Sequence, residues 1–460
     1  MPTRIEHDSL GPVEIDSGRL WGAQTQRALL HFDIGTERLP ADMIRAYARI
    51  KRACAIVHGE AGRLDAEQAA AIVTVCDELL AGRWDDEFPL SVWNSGSGTP
   101  FNMNVNEVIA NRASQLAGQP TGSHRPLHPN DHVNLAQSTN DTFPTAMHLA
   151  AATLLAGQLL PALARLHDVV ATRAAEWNDL WKTGRTHLMD ATPLTLGQEW
   201  SGYAAMLAAA MADLAHVQPV LHELTLGGTA VGSGINAPPG FADEVIARLA
   251  AETGLPLRPV ANRFAAQGAH DALVRLSAAL RTLAGSLFKI ANDIRLLASG
   301  PRCGLAELQL PDNEPGSSIM PGKVNPTQCE ALTMLALQVM GNDMAVTLGN
   351  ASGWLEMNVY KPLIIHNLLQ SLRLLTDGMT SFGRYLVEGC RPDPERLAQW
   401  LEASLMRVTA LTPHIGYERA AAIARHAHEN GLTLREAATG FGQVAEADFS
   451  RWLAEAQRRG

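Results

Sequence analysis

The chain has 460 residues, of which 46 % are hydrophobic, 18 % charged and 5 % aromatic. This composition excludes a disordered or collagen-like protein, and the length exceeds one ordinary hydrophobic core, so two or three domains are expected. A net charge of −10 argues against nucleic acid or an anionic membrane as principal partner, and an anionic substrate would need a local cationic site.

The N-terminus, Met1-Pro2-Thr3-Arg4-Ile5, has no apolar h-region, and no charge-free apolar run long enough to span a bilayer is expected. The five cysteines, Cys54, Cys76, Cys303, Cys329 and Cys390, are odd in number and scattered. They argue for a reducing compartment and against a disulfide framework, a zinc ribbon or an iron–sulfur cluster. A cytoplasmic protein follows as the expectation.

Residues 1–137 mix short helical patterns with many Gly, Pro and Asn positions and read as a loop-rich N-terminal domain. Residues 138–387 read as a central helical bundle. Leu154, Leu155, Leu159, Leu160, Leu163, Leu166 and Val170 mark an amphipathic helix, which Gly157 and Pro161 are expected to kink. The Ala-rich run 204–215 suggests a helix that neighbours approach closely. Leu273, Leu276, Leu280, Leu283, Leu287, Ile290, Ile294 and Leu297 alternate spacings of three and four, the period of a helix in a left-handed bundle. After Cys390, Arg391-Pro392-Asp393-Pro394 reads as a boundary. It leaves 388–460 as a small helical domain with turns at Gly416 and Gly431.

Four segments cluster small polar groups. Ser95-Gly96-Ser97-Gly98-Thr99 precedes Asn102, Asn104 and Asn106; His128-Pro129-Asn130-Asp131-His132 leads to Ser138-Thr139-Asn140-Asp141. Hydroxyls, amides and N–H groups at loop-to-helix junctions bind carboxylates, yet Ser138 to Asp141 equally reads as an ordinary helix cap. His187, in Gly184-Arg185-Thr186-His187, is the candidate acid/base histidine because it lies in a polar connector beside a cation; Glu330 would raise its basicity if the two meet. Gly316-Ser317-Ser318-Ile319-Met320-Pro321-Gly322-Lys323-Val324-Asn325 reads either as a mobile lid over a small acid or as a flexible surface loop. It is not a Walker loop, since Val324 stands where Ser or Thr is needed. The glycines of 227–234 lack βαβ context for a dinucleotide site. His124, His128 and His132 have metal-ligand spacing, but Pro126 and Pro129 interrupt any ligand helix, and no metal is called for.

Taken together, these segments resemble the class II fumarases of the fumarase/aspartase superfamily. Residues 316–326 resemble the superfamily signature. Thr327-Gln328-Cys329-Glu330 and His187, where aspartases usually carry Gln, favour fumarase. The resemblance runs from Trp21-Gly22-Ala23-Gln24-Thr25-Gln26 to His414-Ile415-Gly416-Tyr417. It implies a mainly α, three-domain subunit with a central long-helix bundle, and a homotetramer whose active sites are each built from three subunits. It implies reversible hydration of fumarate to (S)-malate, by anti addition and elimination through an aci-carboxylate, without a cofactor. Ser317 matches the catalytic base, His187 with Glu330 the acid/base that handles water, and Lys323 the charge stabiliser. Ser97, Gly98, Thr99, Ser138, Thr139, Asn140, Thr186, Ser318, Val324 and Asn325 match substrate-binding positions. Arg125, His128, Pro129, Asn130 and Asp131 match a second dicarboxylate site.

Three departures stand out: Pro100-Phe101 where the family has Gln and then Ser or Thr, Met189 for Gln, and Ala265 for an acidic residue. They motivate an alternative, a sibling lyase acting on a substituted fumarate or an amino-dicarboxylate. A more distant alternative is a catalytically silent structural protein, like the lens crystallins of this superfamily. Joint retention of Ser317, His187, Lys323, Asn325 and Glu330 argues against it.

Overall fold

The computed structural model describes residues 2–459, so Met1 and Gly460, the outer ends of the expected first and last domains, lie outside the described residues. Helices dominate: α1 (Ala41–Glu60), α2 (Thr99–Leu116), α3 (Thr139–Leu154), α4 (Leu160–Glu176), then a hairpin of β1 (Trp181–Thr186) and β2 (Met189–Thr195), then α5 (Leu196–Leu221), α6 (Asp271–Leu297), α7 (Thr327–Ala351), α8 (Lys361–Phe382), α9 (Pro394–Ala403), α10 (Tyr417–Asn430) and α11 (Glu446–Arg459), with shorter helices between. Strands among the described residues form only two-stranded pairs. The first 137 residues are more helical than a loop-rich reading suggests: α1 has 20 residues and α2 has 18. Their internal Gly and Asn positions misled because tertiary burial overrides weak propensity.

The chain divides into two compact units. One comprises Met1–Pro161, Ala212–Ala284 and Ala336–Thr376; the other comprises Ala162–Met211, Gly285–Leu335 and Asp377–Gly460. The long helices α5, α6, α7 and α8 each contribute residues to both. All eight apolar residues of the α6 stripe are buried, so its period marks a core seam. In the second unit, Val408, Leu411, Ile423, Leu434 and Phe449 form a separate core beneath α10 and α11. Gly416 precedes α10 with φ +80° and Gly431 ends it with φ +63°, the turns expected there.

Between α3 and α4 the helix does not break. Residues 155–159 form one π turn that contains Gly157, and Pro161 follows in the first turn of α4. The widened turn accommodates the hydrogen bond that proline cannot make, at the place where the sequence pattern is interrupted.

One expectation fails. Residues 142–164 contain no Asp, Glu, Lys or Arg. Three stretches, Thr139–Glu176, Leu196–Leu221 and Thr327–Ala351, are long and apolar enough to cross a membrane by length and composition. The most apolar window is 56 % buried in the first of these and 28 % and 39 % buried in the other two.

Candidate active site

The first unit carries the loop before α2. Gly98 has φ +79°, and a Cβ there would meet the Phe143 ring at 2.2 Å, so only glycine fits. The resulting turn strings three hydroxyls together: Ser95 Oγ to Ser97 Oγ at 3.0 Å, and Ser97 Oγ to Thr99 Oγ1 at 2.9 Å. Thr99 is exposed and Ser97 half-buried, so the row can offer donors to a carboxylate. Gly98→Ala is expected to cost about 3 kcal/mol, from a left-handed backbone plus overpacking, which a shift in the urea-unfolding midpoint would report.

Ser138 is the N-cap of α3, its Oγ accepting from Asn140 N at 3.2 Å, while its own N–H donates to Asp141 Oδ1 at 3.0 Å. The cap reading is therefore correct, and it does not exhaust the segment. Asp141 Oδ2 accepts from Gly227 N (2.8 Å) and Thr229 N (3.0 Å), and Asn140 Nδ2 donates to Ala230 O (2.7 Å). The glycine-rich connector 227–234 is thereby clamped to residues 138–141. Behind them, buried Lys51 donates to Asn134 Oδ1 and Gln137 Oε1 at 3.0 and 2.9 Å, and Asn102 Nδ2 donates to Asn134 Oδ1 and Thr139 Oγ1. Burial pulls Lys51 down to about 8 and pushes Asp141 up to about 6.

Lys51 and Asn134 are absent from the sequence reading of the site, and Asp141 enters it only as part of a possible helix cap. Asp141 at the third position of a capping box is the one local signal that could have found them. Asp141→Asn leaves one acceptor oxygen for three N–H donors and should destabilise by about 2–4 kcal/mol. Because its folded pKa lies above the unfolded one, the carboxyl's stabilising contribution is complete below about pH 4 and is lost as pH rises through about 6. Glu107, pushed up to about 7 by burial, titrates in both proteins, so the difference in unfolding free energy between wild type and variant across pH 4–7 should carry that slope.

The second proposed anion segment folds as one π turn, Pro129–Val133. His128 caps it, its Nδ1 accepting from Asn130 N and Asp131 N at 3.2 Å each. His128, Pro129 and Asn130 line a cavity of about 310 Å³ together with Glu6, Asp8 and Glu107. Arg125 and Asp131 are exposed and are not among the lining residues. Glu6 is paired to Arg4 at 2.7 Å and Asp8 to Arg27 at 2.6 Å.

In the second unit, Thr186 and Met189 pair across β1 and β2, leaving His187-Leu188 as a two-residue turn. Both have positive φ, +56° and +62°, as a type I′ hairpin turn demands. The turn holds His187 out at the tip, exposed with Thr186. The 316–325 loop is closed at its base by Gly316 N to Lys323 O (2.8 Å) and Asn325 Nδ2 to Gly316 O (2.5 Å). Inside it, Ser317 Oγ accepts from Ile319 N at 3.2 Å and Met320 N at 2.9 Å. Ser317, Lys323 and Val324 line an open cavity of about 430 Å³, while Ser318 is exposed. Among the described residues, the side chains of His187, Lys323 and Glu330 make no hydrogen bond or ion pair within one chain. Each is solvent-facing.

Residues 11–341 match the family described as Lyase, and residues 408–456 match the Fumarase C C-terminus. The fumarate hydratase class II of Thermosynechococcus vestitus is 57 % identical over 98 % of this chain and 97 % of its own. That of Ralstonia nicotianae is 55 % identical over 100 % of both. The class II fumarase of Schistosoma mansoni superposes with a TM-score of 0.95 at 42 % identity, covering 98 % of each chain. A fumarate lyase:delta crystallin structure from Brucella melitensis, bound to cobalt, gives 0.92 at 41 %, again covering 98 % of each. This chain belongs to the class II fumarases.

Among class II fumarases its departures are now placed. Phe101 is 2 % exposed and packs against Tyr47, Phe88 and Phe143 at ring distances of 5.6, 5.9 and 6.3 Å. It is core, as is usual for a large apolar side chain. Pro100 occupies the first turn of α2, where a missing N–H costs nothing. Met189 is exposed beside the hairpin tip. Ala265 lies in a short helix capped by Asn262.

Proposed function

We propose that this chain hydrates fumarate reversibly to (S)-malate, as a carbon–oxygen lyase. The observation that carries the reading is full-length identity of 55–57 % to class II fumarate hydratases, and the chain carries Ser317, His187, Lys323, Asn325 and Glu330, the groups this chemistry needs. In the dehydration direction, Ser317 Oγ takes the C3 proton of malate, and the C–H electron pair moves into the adjacent carboxylate to give a dianionic aci-carboxylate. Lys323, Asn325 and N–H donors neutralise that charge, each good donor being worth about 3–4 kcal/mol. The C2–O bond then breaks, with protonated His187 supplying the proton that makes the leaving hydroxyl water; Glu330 supports that imidazolium. Ser97, Gly98, Thr99, Ser138, Thr139, Asn140, Thr186, Ser318 and Val324 hold the carboxylates. Arg125, His128, Pro129, Asn130 and Asp131 form a second dicarboxylate site.

The same reading assigns the chain to the cytoplasm, divides it at 137/138 and 387/388, and makes it a homotetramer with sites shared by three subunits. Two observations support the assembly. Met334, Leu337, Met344 and Leu348 make an exposed apolar stripe on α7, and stripes of that kind mark contact faces. Among the described residues the exposed acid/base side chains have no partner, as expected of a site completed by neighbours. Burial of Phe101 removes one motive for a substituted substrate. A panel of fumarate, 2-methylfumarate and fumarate with ammonia tests the reading: hydration of fumarate is expected to dominate, and preference for either of the others would refute it.

A further inference from the structure

Behind the His187 turn lies a buried four-charge cluster in the second unit. In a regular strand, residues three apart point to opposite faces. Lys182 and Arg185 instead grip one carboxylate: Lys182 Nζ lies 2.9 Å from Glu307 Oε2, and Arg185 Nη2 lies 2.7 Å from Glu307 Oε1. The register slips between Thr183 and Arg185: Gly184 alone spans in β1 the step that Ala191 and Thr192 span in β2, and this bulge breaks the regular alternation of faces. Gly184 makes the bulge possible, since a Cβ there would meet Thr192 O at 2.4 Å. Glu199 completes the cluster at 2.7 Å from Lys182 Nζ, giving two cations and two anions.

Glu307 is 0 % exposed, Lys182 1 % and Arg185 15 %. Buried charges without partners are expensive, so this neutral quartet has few alternative arrangements. Glu307 is itself fixed by its backbone: its N–H donates to Leu297 O at 2.8 Å, at the end of α6, and its carbonyl accepts from Asp393 N at 3.0 Å, at the start of α9. The carboxylate therefore ties the strand that ends in Thr186-His187 to two helix termini. Meanwhile His187 and Leu188 hold left-handed backbones, which persist only where the surroundings over-determine them.

We infer that Glu307 is a positioning residue for the hydration reaction: by clamping Lys182 and Arg185 across the Gly184 bulge it fixes the tip of the hairpin and so the placement of His187. This rests on His187 acting as the acid/base. Misplacement of a reacting group by about 1 Å costs up to about a hundredfold in rate, whereas ground-state binding through other residues is unaffected.

The test begins with wild-type turnover of fumarate; its absence would sink the functional reading itself. With wild type active, Glu307→Gln is expected to lower kcat by about tenfold to a hundredfold, to change KM little, and to alter the pH profile of kcat. Arg185→Lys, which keeps the charge but loses the planar fork, should lower kcat in the same direction by less. A folded Glu307→Gln enzyme with wild-type kcat overturns the inference. So does a reduced kcat with the wild-type pH profile, which would mark a merely structural loss of active enzyme. If Glu307→Gln does not fold, Arg185→Lys decides: a lowered kcat at unchanged KM supports the clamp, and wild-type kcat overturns it.

Discussion

Replacing Ser317 with alanine is expected to lower kcat by about 10²- to 10⁴-fold in both directions, the range a positioned general base contributes. A serine hydroxyl is a poor base unless its anion is stabilised. Ser317 Oγ already accepts two backbone N–H groups, from Ile319 and Met320, and hydrogen bonds to a charged form favour that form. Lys323, on the same loop, adds a cation. The loop's closure runs through Gly316, Lys323 and Asn325 and not through the hydroxyl, so the variant should keep its fold and thermal midpoint. KM should change less than about threefold, because the lost interaction belongs to the transition state. Steady-state kinetics of Ser317→Ala retaining a tenth or more of wild-type kcat would remove Ser317 from the role of base. Ser318→Ala provides the contrast: with the substrate-binding role proposed for it, it should raise KM more than it lowers kcat.

His187→Asn is the second large effect, expected at about 10²- to 10³-fold on kcat. Asparagine is chosen because it tolerates the left-handed backbone at this position, φ +56°, so the type I′ turn survives while the imidazole is lost. The variant should bind fumarate with near-normal KM while kcat falls in both directions. A variant with wild-type kcat would place the water-handling proton on another group.

What the sequence revealed of this site follows from where its determinants lie. The 316–325 loop was readable because its constraints are local: glycines flank the serines, and the ring closes through residues at most nine apart in the chain. The α6 stripe was readable because a buried helix face imposes its period on the sequence. The π turn at 155–159 was not foreseen as such, since Gly157 and Pro161 signal only that the α pattern is interrupted, not how the backbone recovers. Phe101 stood beside a site segment in sequence, yet its side chain leaves the loop and enters a core shared with Tyr47 and Phe143. Glu307 was invisible because its partners, Lys182 and Arg185, are more than a hundred residues away. Its only local trace is Gly184 in a strand. The surroundings of His187 and Glu330 were equally out of reach, since among the described residues no side chain engages either of them.

The most direct measurement of the central claim is incubation of the purified protein with fumarate in D₂O, followed by ultraviolet absorbance and proton NMR. Loss of the fumarate absorbance, with (S)-malate carrying one deuterium at C3 as a single diastereomer, is the predicted result, because anti addition delivers oxygen and deuteron to opposite faces. Unchanged fumarate, or malate formed as a mixture of C3 diastereomers, would contradict it.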